Sequence, residues 1–69
     1  MLTISGLDRR GVARGGRTVV PAAEFAERCF RQGWRSLKLI GRAADGSDYE
    51  AAGIRKDPET GERIWWAES

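Results

Sequence analysis

The sequence predicts an α+β domain: a three- or four-stranded antiparallel sheet with one α-helix packed on one face, in the order β-loop-α-β-β-β. Three observations lead there. One segment, near Pro21 to Gln32, repeats its apolar residues at the helical period. Three later segments are strand-like and are separated by turn signals, Asp45-Gly46 and Asp57-Pro58…Gly61. The chain has 69 residues, which suits one small domain with a single shallow core.

Each element has a local cause. Leu2-Thr3-Ile4-Ser5 alternates apolar and polar residues, as a half-buried strand does. Residues 6–17 hold Gly6, Gly11, Gly15 and Gly16 and read as an irregular Gly/Arg-rich loop. Thr18-Val19-Val20 is β-branched throughout and offers a brief pairing with the first strand. Pro21 then opens the helix, since a proline at the first helical position lacks only an N–H that would have no partner there. Ala22, Phe25, Ala26, Cys29 and Phe30 share one stripe. On the opposite side, Glu24 with Arg28 and Glu27 with Arg31 are acid-before-base pairs at i,i+4, each worth about 0.2–0.5 kcal/mol. Gly33 supplies a left-handed C-terminal cap. Strands follow at Ser36–Arg42, Asp48–Lys56 and Glu62–Ala67, and the Asp-Gly and Asp-Pro…Gly sequences between them mark tight turns.

A helix covers one face of such a sheet and leaves the other to solvent or a partner. Alternation sends Leu37 and Leu39 under the helix and Lys38, Ile40 and Arg42 to the open face. Arg55 is open because Ile54 is the core residue of its strand, and Tyr49 shares the parity of Arg55 if no bulge intervenes. The last hairpin admits two registers. With a four-residue loop Ile54 faces Trp65, and Ile64 and Trp66 are open. With a three-residue loop Ile54 faces Ile64, and Arg63 and Trp65 are open. In either case one of Trp65 and Trp66 points outward. Interleaved Arg, Lys and aromatic residues of this kind suit phosphate contact and base stacking. They equally suit a protein interface. The plainer alternative is that the outward tryptophan only shields a thin sheet over Ala51 and Gly53.

Charge is uneven. The formal net charge is +2, yet Asp8 to Arg17 carries Arg9, Arg10, Arg14 and Arg17 against one aspartate. That segment is the first place to expect an anion, or else a solvated loop. Within it, Gly11-Val12-Ala13-Arg14-Gly15-Gly16-Arg17-Thr18 imitates the phosphate loop G-x-x-x-x-G-K-[ST]. The match lacks its context: Arg17 replaces the lysine, β-branched residues follow, and Pro21 starts the helix too late to aim its dipole at a phosphate.

Chemistry is poorly supplied, and we expect no enzyme, no cofactor and no metal. With no histidine in the chain, the usual general base is missing, and Ser5, Ser36, Ser47 and Ser69 have no triad partner. The single cysteine, Cys29, lies on the apolar stripe and excludes an internal disulfide. Asp45 and Asp48 near one turn read as turn residues. No apolar run approaches the roughly 20 residues that span a bilayer, and the N-terminus places its charge after its apolar residues, the reverse of a secretory signal. A cytoplasmic location is the expectation.

The stretch from Pro21 onward resembles small accessory proteins encoded by actinobacterial phages. The residues that carry this are Phe30-Arg31-Gln32-Gly33-Trp34-Arg35-Ser36-Leu37 and the segment from Ala51 through Pro58-Glu59-Thr60-Gly61 to Trp65-Trp66-Ala67-Glu68. The resemblance implies a small protein acting in a bacterial host cytoplasm and carries over no catalytic residue. The expected partners are DNA or RNA, a host protein, or a second copy of the chain. The expected binding residues are Lys38, Arg42, Tyr49, Arg55, Arg63, Trp65 and Trp66 on the sheet, with Arg9, Arg10, Arg14 and Arg17 in the loop.

Overall fold

Asp8 organises the first part of the chain. In the computed structural model, which describes residues 1–68, its carboxylate accepts the backbone N–H groups of Arg10 (2.8 Å) and Val12 (3.0 Å) and the Nε–H of Arg14 (3.0 Å). Gly11 donates its N–H to the Asp8 carbonyl and takes φ 76°, the conformation that closes a three-residue hairpin loop. The segment read as a loop is therefore a hairpin. Strand β1 (Leu2–Leu7) pairs antiparallel with β2 (Ala13–Thr18), from Leu2 opposite Thr18 to Leu7 opposite Ala13. Glycine is disfavoured within strands, but here Gly6, Gly15 and Gly16 are carried by the continuous ladder. Gly16-Arg17-Thr18 is thus extended strand, and no phosphate loop forms.

Helix α1 (Ala22–Arg31) begins one residue later than expected. Pro21 has ψ 140°, an extended value, and stands at the N-cap; its carbonyl accepts the first helical N–H, from Phe25. The C-terminus closes as the sequence indicates. Gly33, at φ 87°, donates to the Phe30 carbonyl and Trp34 donates to that of Cys29, a Schellman pair. Strands β3 (Ser36–Arg42), β4 (Asp48–Lys56) and β5 (Arg63–Ala67) follow.

All five strands form one antiparallel sheet, ordered β2-β1-β3-β4-β5. The α+β class stands, and the strand count of three or four is corrected to five because the arginine-rich segment pairs as well. The helix packs mainly over β3, β4 and β5. Between helix and sheet lie Ala26, Cys29, Leu37, Leu39, Ala52 and Ile54, with Leu2, Ile4, Phe25, Phe30 and Trp34 at the margin. Burial pushes the Cys29 thiol up, with the Arg28 charge opposing weakly. Ser69 lies outside the described residues.

Candidate nucleic-acid interface

Cross-strand register decides which side chains share a face, since residues directly opposite point the same way. Leu37 and Leu39 face the helix, so their neighbours Lys38, Ile40 and Arg42 face away. Across β1 and β2, Thr3 lies between Ile40 and Arg17, which sets Arg17 on the open face. The last hairpin uses its four-residue loop: Ile54 faces Trp65, Gly53 faces Trp66 and Arg55 faces Ile64. The open face therefore gains Arg55, Ile64 and Trp66.

Three residues expected on the open sheet face lie elsewhere. Tyr49 is opposite Gly41 on the helix side, because the β3–β4 register slips between Leu39 and Ile40 and reverses the parity beyond Ala51. Its ring lies against Gly41, where a Cβ would meet it at 2.5 Å. Trp65 turns inward with Ile54 and remains partly exposed at the sheet margin. Arg63 is also on the helix side. Its guanidinium sits 4.0 Å from the centre of the Phe30 ring and donates to the Trp34 carbonyl at 3.1 Å, so it holds the helix end to the sheet. Arg14 shares that side through its pairing with Gly6, while Arg9 and Arg10 occupy the hairpin turn.

What remains on the open face is compact. Thr3 and Ser5 of β1 are small and lie between Arg17 of β2 and Lys38, Ile40 and Arg42 of β3. Two shallow hollows sit over them, one lined by Met1, Thr3, Arg17, Ile40, Arg42 and Asp48, the other by Ser5, Leu7, Ala13, Arg14, Ser36 and Lys38 with Leu37 and Ile54. Together they make a trough along β1. Its flanks are two strand spacings apart, about 10 Å, and a six-residue strand runs about 20 Å. Trp66 lies on Gly53 at the far side of Lys38, where a Cβ would meet its Nε1 at 3.1 Å.

The electrostatics are mixed. Lys38 pairs with Glu50 (3.6 Å) and Arg42 with Asp48 (3.5 Å), and all four side chains are exposed. Such pairs are worth about 0–1 kcal/mol and exchange readily for another anion. Arg17 and Arg55 have no ion-pair partner among the described residues. Four cations thus meet two carboxylates on this face.

Sequence reasoning missed the place of Arg17 on this face. The signal was present: Leu2-Thr3-Ile4-Ser5 needs a partner strand, and Asp8-Arg9-Arg10-Gly11 is a hairpin loop with its glycine in the closing position. Asp45, in the β3–β4 turn, is held below its ordinary range by hydrogen bonds from the Ser47 hydroxyl and N–H. Among the described residues no helix is long and apolar enough to cross a membrane. No protein-family model matches the chain, and neither a curated protein nor a solved structure matches it.

Proposed function

We propose that the protein is a non-enzymatic nucleic-acid-binding module that works through its open sheet face. The trough along β1, flanked by Arg17 on one side and Lys38 and Arg42 on the other, is the observation that carries this reading. Arg17, Lys38, Arg42 and Arg55 contact phosphates, and Trp66, backed by Gly53, stacks against a base. A cationic groove beside an aromatic platform is the common arrangement for single-stranded nucleic acid. Helix α1 faces the sheet with its apolar stripe and carries Glu24–Arg28 and Glu27–Arg31 ion pairs outside, so it is not a groove-reading helix. The resemblance of the chain from Pro21 onward to phage accessory proteins implies a place of action in a host bacterium.

Fluorescence anisotropy with short labelled oligonucleotides tests the proposal. Four phosphate contacts on a single strand predict an affinity loss of about 50-fold between about 50 and 200 mM salt. Replacing Arg17 and Arg55 together by alanine should flatten that dependence. Absence of binding at the lower salt concentration rejects the reading. A specific protein recovered from nuclease-treated bacterial lysate, with no oligonucleotide affinity, would replace it with a host-protein partner.

A further inference from the structure

A second concentration of positive charge lies away from the trough, on the helix side of the sheet. A hollow opens between the β1–β2 turn and the C-terminal end of α1, lined by Asp8, Arg9, Arg14, Arg31, Gln32 and Trp34. Both walls are fixed. The turn is held by the three hydrogen bonds to the Asp8 carboxylate and by the Gly11 N–H on its carbonyl. The helix end is held by its Schellman pair. The walls lie close: a Cβ added to Gly33 would be 3.4 Å from that of Arg9.

The three guanidiniums come from the turn, from β2 and from α1, and they retain free donors. Arg14 spends only its Nε on Asp8, and Arg31 spends one Nη on Glu27 at 2.6 Å. Arg9 has no ion-pair partner among the described residues. Arg35 adds charge beside them. Its guanidinium lies over Gly11, where a Cβ would meet Nη1 at 2.6 Å, and it too has no acidic partner there. The helix C-terminus would oppose an anion through its carbonyls. Those of Arg28, Cys29 and Phe30 are already taken by Gln32, Trp34 and Gly33, which leaves those of Arg31 and Gln32 for the guanidiniums to outweigh.

We propose that this hollow is an anion site for a phosphate monoester, sharing only Arg14 with the lining of the trough. One guanidinium fork serves the two oxygens of a carboxylate. Forks from three elements instead suit a tetrahedral dianion with three terminal oxygens. Arg9 and Arg31 clasp it from opposite walls, and the free Nη edge of Arg14 meets it from the sheet. Asp8, its oxygens occupied by Arg10, Val12 and Arg14, acts on the ligand only by positioning Arg14 and the turn.

Amide chemical shifts during titration of the full chain test this. Inorganic phosphate and a nucleoside 5′-monophosphate should each move the Arg10, Gly11, Val12, Gly33 and Trp34 amides saturably, with a dissociation constant on the order of 1 mM. Acetate should leave them in place. R9A/R31A should weaken phosphate binding about tenfold or more, equivalent to about 1.4 kcal/mol. R9A alone, which breaks no ion pair, should act in the same direction with the native spectrum intact. R17A/R55A, which weakens the trough, should leave it unchanged. Equal binding of acetate, no saturable shift with the monophosphate, or equal loss in R17A/R55A would each overturn the site without touching the nucleic-acid reading.

Discussion

Gly53 shows how one missing side chain sets the thickness of a sheet. It stands between Lys38 and Trp66 on the open face, and its backbone lies so close to β3 that a Cβ would meet the Leu37 carbonyl at 2.5 Å. The obstructing atom is backbone within a strand and cannot turn away. The indole of Trp66 fills the space above. Gly53→Ala should therefore destabilise by about 1–3 kcal/mol, the range for overpacking a close contact. Gly15 on β2 is the opposite case. A Cβ there meets nothing nearer than the Ile4 carbonyl at 3.5 Å, an ordinary contact. Gly15→Ala should stabilise by about 0.4–1 kcal/mol through the entropy of the unfolded chain. Urea denaturation of the two variants gives the signs. A neutral Gly53→Ala would mean that the backbones of β3 and β4 do not approach so closely there.

At the scale of elements, the β1–β2 hairpin depends on one carboxylate. The hydrogen bond from the Val12 N–H, with those from Arg14 and Arg10, holds the Asp8 carboxyl below its ordinary range, against the effect of burial. The folded pKa is the lower one. The stabilisation is therefore complete above the unfolded value of about 3.9 and is lost as pH falls through the folded value. Acid should loosen the hairpin before the rest of the sheet, with flat behaviour from neutral pH down to about 5. Amide exchange of residues 9–18 against 37–54, followed down in pH, measures this. Asp8→Asn should weaken the hairpin at neutral pH and remove its acid dependence. Simultaneous loss of both groups of amides, unaltered in the asparagine variant, would reject the account.

The same hairpin marks the limit of legibility. Helix α1, its Gly33 cap and strands β3 to β5 follow from periodicity and turn chemistry, which are local. The hairpin was hidden because glycine and arginine, poor strand formers, occupy β2. Its strand conformation comes from the β1 ladder, a pairing between segments, and not from its own propensity. The face of Tyr49 was misassigned for a related reason. Only the pairing of β3 with β4 reveals the slip at Ala51, and nothing in Asp48–Lys56 alone announces it. The trough needed both facts, since Arg17 reaches it through the hairpin and Tyr49 leaves it through the slip.

The whole molecule is two layers deep, with extents of 36 × 25 × 17 Å. The core mixes the small residues Ala26 and Ala52 with Leu37, Leu39 and Ile54, and of the large side chains Leu39 is the one at 0% exposure. Net stability for a chain this short is about 3–10 kcal/mol. Leu39→Ala should cost about 2–5 kcal/mol, a large share of that total. Leu7, at 39% exposure on the open face, is a matched control, and Leu7→Ala should change stability by no more than about 0.5 kcal/mol. Urea midpoints at unchanged m-value decide between them. The trough and the arginine hollow lie on opposite sides of the sheet that Leu39 anchors. Leu39→Ala should thus weaken oligonucleotide and phosphate binding together, in proportion to the unfolded fraction. Leu7→Ala, at the rim of the trough, should leave the phosphate site unchanged. Independent loss of the two activities in Leu39→Ala, with the fold retained, would show that this core does not support both surfaces.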